Sequence, residues 1–385
     1  MTTVKALRRD ADPIDRLTPL LPGFAAAAAE HDASETFVAA NYAFLRAARL
    51  MSAGVPVELG GDGLEVPELA RLLTTMAHSC SSTALAFAMH THSVAVLAWR
   101  WRNQKAPVEA VLKRVADEQI VIATSGGFDW LESSGKARKV DGGYAIDAVK
   151  GFASGSPAAS LLNTTAICDD AENGPTVIHF MLPLNAKEVR IEDAWRAMGM
   201  RATASNLIHI DGFVLPEDKV ALKRSKGKWH PLYHTIAMVA FPLIYSVYLG
   251  VAEAMRDHAV ATAKRRPPTP QLVDLVGEVE TDLAAARFAI ADMVANAGGS
   301  PGVEATNRVC LGRSNFVSAA MRLAGNALEL TAGGGYMRAH PVERLFRDIQ
   351  AARFHPLMAR QQRDFAGRVA LGLDVDGPIG QPAAG

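Results

Sequence analysis

His355 stands at a break in the chain where an imidazole could act as an acid or a base. It directly precedes Pro356, and a proline disfavours helical geometry in the residue before it. Because the ordinary pKa of histidine is about 6.5, an imidazole at such a break can exchange a proton near neutral pH. The alternative is a structural histidine that bonds to the carbonyl oxygens of a helix end.

Two further histidines, His90 and His92, fall within a predicted helix over residues 65–101. Residues two apart on a helix point in different directions. The pair is therefore a poor metal site, and we expect at most one of the two to face a pocket. We favour His92, and a hydrogen-bonded structural histidine is the alternative.

A run of three glycines at residues 333–335 lets the backbone approach a bound phosphate closely and aim amides at it. The run follows a helical pattern rather than a strand, and it lacks the G-x-G-x-x-G spacing of a Rossmann fingerprint. A flexible loop between two helices would explain the same residues.

The composition excludes several classes of function. Lysine plus arginine and aspartate plus glutamate both number 40, so no net field attracts nucleic acid or an anionic membrane. Cys80, Cys168 and Cys310 lack C-x-x-C spacing, which predicts buried thiols rather than disulfides or a zinc site.

The N-terminus resembles neither a signal peptide nor an anchor, and we expect a cytoplasmic protein. The apolar window 236–251 contains Pro242 and predicts a buried core helix.

The periodicity of the sequence changes twice along the chain. Residues 15–114 are helical around a glycine-rich turn at 55–63, and Asp32 with Glu35 predicts a helix start. Short β-rich runs then occupy residues 120–124, 144–149, 161–167, 176–182, 189–191 and 207–214. The Asp141-Gly142-Gly143 turn predicts a hairpin in a largely antiparallel sheet. Helices return over 230–373, one with an apolar stripe at Val276, Val279, Leu283, Ala286 and Ile290.

Four stretches carry a resemblance to the acyl-CoA dehydrogenase superfamily, in the same order and over most of the chain. They are residues 55–63, 150–155, 198–218 and 333–348. The resemblance implies an α+β, mostly α fold with an N-terminal helical domain (1–117), a middle antiparallel β domain (118–225) and a C-terminal four-helix bundle (226–385). It also implies a homo-oligomer, which we expect to be a tetramer.

The same resemblance implies a flavin cofactor, either FAD or FMN. The residues that would flank the flavin ring are Thr124, Ser125, Phe152, Ala153 and Ser154. Arg265 or Arg266 would meet a pyrophosphate, although a solvated charge pair at a helix C-terminus explains them equally well. Gly333, Gly334 and Gly335 would meet the dinucleotide part of the cofactor across a subunit interface.

The sequence departs from the dehydrogenase pattern at its catalytic base. An acyl-CoA dehydrogenase needs a carboxylate to remove a proton, but Pro356 occupies the usual position of the glutamate, and residues 229–250 contain no Asp or Glu. His355, seven residues after Asp348, instead resembles the two-component flavin monooxygenases of the superfamily. Those enzymes take reduced flavin from a separate reductase and oxygenate an aromatic, sulfur or nitrogen centre.

Three hypotheses follow. The first, which we favour, is a monooxygenase that uses reduced flavin and oxygen on a small-molecule substrate, with His355 and His92 in the catalytic site. The second is an acyl-CoA or related thioester dehydrogenase that recruits an unrecognised base. The third is a degenerate member that binds flavin without turnover.

Overall fold

The computed structural model describes residues 11–129, 132–170 and 174–376. The chain opens with helices α1 (Pro13–Leu17), α2 (Leu21–Ser34), α3 (Ala39–Ala47), α4 (Val66–Ser79), α5 (Ser81–Gln104) and α6 (Glu109–Glu118).

The predicted helix start at Asp32 and Glu35 is wrong. Helix α2 ends there instead, with Glu35 in the left-handed region at φ 55°, because the alanine-rich run before it continues the helix. Asp32 pairs with Arg347 at 2.6 Å.

The middle of the chain forms a sheet of eight strands within the described residues. They are β1 (Ile122–Thr124), β2 (Lys136–Val140), β3 (Gly143–Ala153), β4 (Leu161–Asp170), β5 (Gly174–Pro183), β6 (Val189–Glu192), β7 (Asn206–Pro216) and β8 (Leu222–Ser225). The order is β6-β7-β3-β2-β4-β5-β8, with β1 beside β4. Strands β1 and β2 run parallel to β4 and the remaining pairs are antiparallel, as predicted.

The predicted hairpin joins β2 to β3, and Val140 pairs with Gly143. Gly142 takes a φ of 72° in the turn, a conformation that glycine adopts without steric cost. The sequence pattern missed β2 and β8, which are short and rich in basic residues.

The C-terminal part is a helical bundle. Its helices are α7 (Pro231–Ala263), α8 (Pro270–Asn296), α9 (Val303–Gly335), α10 (Pro341–Ile349) and α11 (Ala359–Ala370). Four positions of the predicted stripe on α8, from Val279 to Ile290, are buried. Helix α7 is long and apolar enough to cross a membrane, but 94% of its most apolar window is buried inside the protein. It is the core helix that the sequence predicts.

The N-terminal helices and the bundle share one hydrophobic core, and the sheet has its own. Helix α7 packs closely on α4, because a Cβ on Gly250 would lie 2.3 Å from the carbonyl oxygen of Thr74. It also packs on α5. Helices α5 and α7 therefore stand side by side facing the sheet, and the space between them and the sheet holds the site described next.

Candidate active site

A cavity of about 1440 Å³ lies between α5, α7, the sheet and the segment from Ala351 to Gln361. The loop after β1 meets that segment at Gly127, where a Cβ would lie 2.3 Å from the ring of Pro356. A side chain at Gly127 would therefore push the two apart. This contact joins the β domain to the segment that carries His355.

His355 is half-buried and lines this cavity. The hydroxyl of Tyr248 on α7 lies 2.8 Å from its Nδ1 atom. Tyr245, one turn earlier on α7, donates to the carbonyl oxygen of Ala352 at 3.1 Å. The irregular chain before Pro356 is thus held by side chains of the buried helix α7.

Arg313 on α9 completes this arrangement from behind. Its Nε donates to the Tyr245 hydroxyl at 2.8 Å, and its Nη2 donates to the carbonyl oxygen of Arg353 at 2.8 Å. The side chain is 1% exposed. Among the described residues no carboxylate lies within ion-pair distance of Arg313, so a buried positive charge stands behind His355 without a counter-ion.

The electrostatics keep both histidines of the cavity neutral. Burial, followed by the charge of Arg313, lowers the pKa of His355 to about 4. Burial, followed by the proximity of His355, lowers the pKa of His92 to about 3. Burial also raises the pKa of the Tyr248 phenol well above its usual range. At neutral pH the site offers uncharged imidazoles and a protonated phenol.

His90 and His92 have different surroundings although they are two residues apart on α5. His92 lines the cavity and is near enough to His355 to affect its titration. His90 is buried away from the cavity, where its Nε2 lies 2.8 Å from the carbonyl oxygen of Met51 and its Nδ1 accepts from the amide of Ile122 at 3.1 Å. His90 is therefore a structural histidine.

Two carboxylates line the cavity, and both have partners. Asp129 accepts hydrogen bonds from Lys150 at 2.8 Å, Ser125 at 2.6 Å and Ser134 at 2.8 Å. Glu132 lies 3.2 Å from Lys226 and is largely exposed at the rim. Within the described parts of the chain, no other Asp or Glu side chain lines this cavity.

The β-domain wall of the cavity fits a planar, polar-edged ring such as a flavin. Phe152 is 57% exposed and packs against Trp195 at 5.2 Å between ring centroids, which offers an aromatic surface for stacking. The hydroxyl of Ser154 lies 2.7 Å from that of Ser205, and the hydroxyl of Thr124 has no hydrogen-bond partner among the described residues. Hydroxyls beside an aromatic wall are the donors that a flavin edge uses.

The other predicted flavin contacts differ in position. Thr124, Ser125, Phe152 and Ser154 line the cavity. Ala153 is fully buried in the core of the sheet, because alternate residues of a strand point to opposite faces.

The predicted cofactor contacts of the bundle lie outside the cavity. Arg265 and Arg266 are exposed after α7, and Arg266 donates to the carbonyl oxygen of Leu330 at 2.5 Å. Gly333 and Gly334 are exposed and Gly335 is buried at the end of α9, next to a kink at Ala332. If these residues bind a cofactor, it is not one held within this cavity of the same chain.

Sequence reasoning missed four residues that shape the site: Tyr248, Arg313, Lys150 and Trp195. Arg313 had a signal, because it stands on the apolar stripe of α9, four residues after Val309 and three before Phe316. Lys150 had a weaker one as the charged residue of a buried strand. Tyr248 and Trp195 had none, since their contacts in the cavity, with His355 and Phe152, are distant in sequence.

The comparisons with known proteins agree with this fold. The family model described as the acyl-CoA dehydrogenase N-terminal domain matches residues 23–117, and that of the C-terminal domain matches residues 241–355. Together they cover more than half of the chain.

Three relatives are a nitrososynthase, a monooxygenase and a protein that binds FMN. L-evernosamine nitrososynthase from a Micromonospora strain is 26% identical over 94% of this chain and 90% of its own length. Dibenzothiophene monooxygenase from Mycolicibacterium goodii is 26% identical over 70% of this chain and 67% of its own length. The crystal structure of KijD3 in complex with FMN and dTDP-3-amino-2,3,6-trideoxy-4-keto-3-methyl-D-glucose is 28% identical, with a TM-score of 0.87 over 95% of this chain and 94% of that chain.

Proposed function

This chain belongs to the acyl-CoA dehydrogenase superfamily and is a flavin-dependent oxidoreductase, and from that premise we propose that it is a monooxygenase that uses reduced flavin and molecular oxygen. The observation that carries the proposal is the neutral imidazole of His355 on the cavity wall, where a dehydrogenase needs a free carboxylate. Both carboxylates of the cavity, Asp129 and Glu132, are engaged by lysines.

We propose FMN as the flavin, supported by the FMN complex of KijD3. When bound, a reduced flavin supplies the electrons that activate oxygen, one atom of which passes to the substrate. Phe152 and Trp195 would stack on its ring, and the hydroxyls of Thr124 and Ser154 would bond its polar edge.

His355 and His92 are the proposed catalytic residues. With pKa values of about 4 and 3, both imidazoles are uncharged at neutral pH, so each ring offers one nitrogen that accepts a hydrogen bond from a nucleophilic substrate and one N–H that donates to oxygen. Full transfer of a proton to either ring requires a substrate proton of matching acidity. Tyr248 is a positioning residue that holds the His355 ring by its Nδ1 atom. Arg313 is a second positioning residue that holds the backbone of the same segment.

The decisive experiment supplies the protein with reduced FMN and oxygen labelled with the heavy isotope. The panel contains amines on nucleotide-linked sugars, aromatic sulfur heterocycles and indoles. Transfer of one labelled atom to any of these compounds supports the proposal. Anaerobic bleaching of bound flavin by an acyl-CoA panel, without oxygen transfer, would establish the dehydrogenase instead. A protein that binds neither FMN nor FAD would favour the degenerate member.

The assembly and the electron source complete the proposal. We propose a homotetramer in the cytoplasm, served by a separate flavin reductase. Exposed apolar side chains on α8 and after α9, including Val273, Phe288 and Tyr336, suit burial against further copies of the chain. Light scattering of the purified protein tests the tetramer, and dependence of turnover on an added NADH-flavin reductase tests the electron source.

A further inference from the structure

Arg100, on the last turns of α5, is a cation of the cavity for which the proposed chemistry has no use. It is half-buried and lines the cavity. Its Nε donates to Gln104 at 3.3 Å, but no carboxylate among the described residues lies within ion-pair distance of the guanidinium. Burial lowers its pKa. A desolvated guanidinium without a counter-ion is a favourable partner for an anion from solution.

His179 on β5 supplies a neutral donor at the same end of the cavity, near enough to Arg100 that the charge of Arg100 contributes to lowering its pKa. Its Nε2 atom accepts a hydrogen bond from the Nε of Arg224 at 3.0 Å. Because a guanidinium can only donate, the neutral ring carries its proton on Nδ1. Burial, followed by the charge of Arg224, lowers the pKa of His179 to about 3, so the ring stays neutral. Among the described residues Nδ1 has no hydrogen-bond partner, and the ring lines the cavity.

The acidic side chains near this end do not neutralise Arg100. Asp129 is bonded to Lys150, and Glu132 is bonded to Lys226. Lys219 at the rim is paired with Asp218 at 3.1 Å. The surroundings therefore leave this end of the cavity with a net positive charge.

The distance along α5 separates this end from the catalytic histidines. Arg100 follows His92 by eight residues, which is roughly 12 Å at 1.5 Å per residue. Helix α7 runs beside α5, with Tyr233 near the Arg100 end and Tyr248 at His355. A single extended molecule can therefore reach both ends of the cavity.

We propose that Arg100 and His179 form a subsite for an anionic group of the substrate, a phosphate or a carboxylate, roughly 12 Å along α5 from His92. This assignment rests on the proposed function, because it takes the histidine end of the cavity as the reacting end. Arg224 is a positioning residue that sets the protonation of the His179 ring. The substrate is then an elongated anion rather than a neutral hydrophobic molecule.

The experiment measures binding without turnover, so its result does not depend on whether oxygenation occurs. The full-length protein loaded with FMN is titrated in a calorimeter with three probes, which are dTDP, inorganic pyrophosphate and glutarate. Saturable binding of at least one probe is expected. Binding of dTDP and pyrophosphate identifies a phosphate subsite, whereas binding of glutarate alone identifies a carboxylate subsite.

Variants on α5 provide the comparison. Arg100→Gln is expected to weaken binding of the probe by roughly tenfold or more, and Arg100→Lys, which keeps the charge, is expected to lose less. Arg102→Gln is the matched control, because Arg102 lies two residues further on and pairs with Glu65 at 3.3 Å. Its binding should equal that of the wild type. The proposal is overturned if no probe binds, if Arg100→Gln binds as the wild type does, or if the probes displace FMN.

Discussion

Two of the cations buried near the cavity, one in the β domain and one in the bundle, are compensated differently. Lys150 is 0% exposed and Arg313 is 1% exposed. Lys150 forms an ion pair with Asp129 at 2.8 Å and also donates to the carbonyl oxygen of Ser134 at 2.7 Å. Within the described ranges of the chain, Arg313 has only neutral acceptors, which are the Tyr245 hydroxyl and backbone carbonyl oxygens.

This difference indicates a structural role for Lys150 and an electrostatic role for Arg313. The pair in the β domain is neutral overall, so it anchors the loop after β1 and adds no net charge to the cavity. The bundle keeps a net positive charge beside His355, which opposes protonation of the imidazole. A buried cation that is satisfied only by dipoles is costly to maintain.

The largest effect is expected from removing the buried ion pair of the β domain, between Lys150 and Asp129. Lys150→Met leaves the Asp129 carboxylate buried without its counter-ion, which costs roughly 3–5 kcal/mol of unfolding free energy. Urea denaturation measures the loss. Lys139→Met, which removes an exposed surface pair with Glu217, should cost far less, because solvent screens exposed ion pairs.

A second change tests the cause of that loss. Adding Asp129→Asn to Lys150→Met removes the stranded charge, so the double variant should recover a substantial part of the stability. If Lys150→Met costs no more than the Lys139→Met control, the ion pair is not the anchor of the loop.

Much of the fold could be predicted because its signals are local. The change from helical to strand periodicity, the Asp141-Gly142-Gly143 turn and the stripe on α8 each depend on neighbours within a few residues. The misread helix start at Asp32 shows the limit of such signals. A polar pair beside an apolar residue suits either end of a helix, and the pairing of Asp32 with Arg347, 315 residues away, was not visible.

The site could be predicted only in part, for the same reason. His355 and His92 were visible as residue types, and His355 also by its place before a proline, whereas their proximity depends on the packing of α5, α7 and the segment after α10. The roles of Thr124, Ser125, Phe152, Ala153 and Ser154 at a flavin remain predictions. The uncompensated charge of Arg313 could not be read from the sequence, because only the structure shows which residues surround it.

The second prediction concerns the imidazole that the uncompensated charge acts upon. His355→Asn keeps a polar side chain but removes the group that exchanges a proton, and turnover should fall by roughly 100-fold. Binding of FMN should not change. Rates of oxygen transfer measure the effect, with His31→Asn, a change at the end of α2 away from the cavity, as the control. Turnover within a few-fold of the wild type would remove His355 from the mechanism.

The third prediction uses the pH dependence of turnover to test how the charge of Arg313 acts on His355. The pKa of His355 is lowered to about 4 by burial and then by Arg313, so neutral imidazole persists down to that pH. Arg313→Met removes the charge, and the pKa should rise toward the ordinary 6.5. The acidic limb of kcat/KM therefore moves to higher pH in the variant. Arg313→Lys keeps the charge and should keep the limb near that of the wild type. If the acidic limb of kcat/KM lies at the same pH in the wild type and both variants, Arg313 has no electrostatic effect on His355.

The smallest expected effect compares the same chemical change at two buried tyrosines. Tyr248→Phe removes the 2.8 Å hydrogen bond that holds His355, at a cost of about 1 kcal/mol, which corresponds to roughly a fivefold loss in kcat with little change in KM. Tyr42→Phe is the matched control, because the buried Tyr42 hydroxyl has no hydrogen-bond partner among the described residues. Its loss should leave turnover unchanged and can even stabilise the fold. Equal effects at the two positions would mean that the Tyr248 hydroxyl does not position the imidazole, since any general sensitivity of the core to the loss of a hydroxyl would act on both.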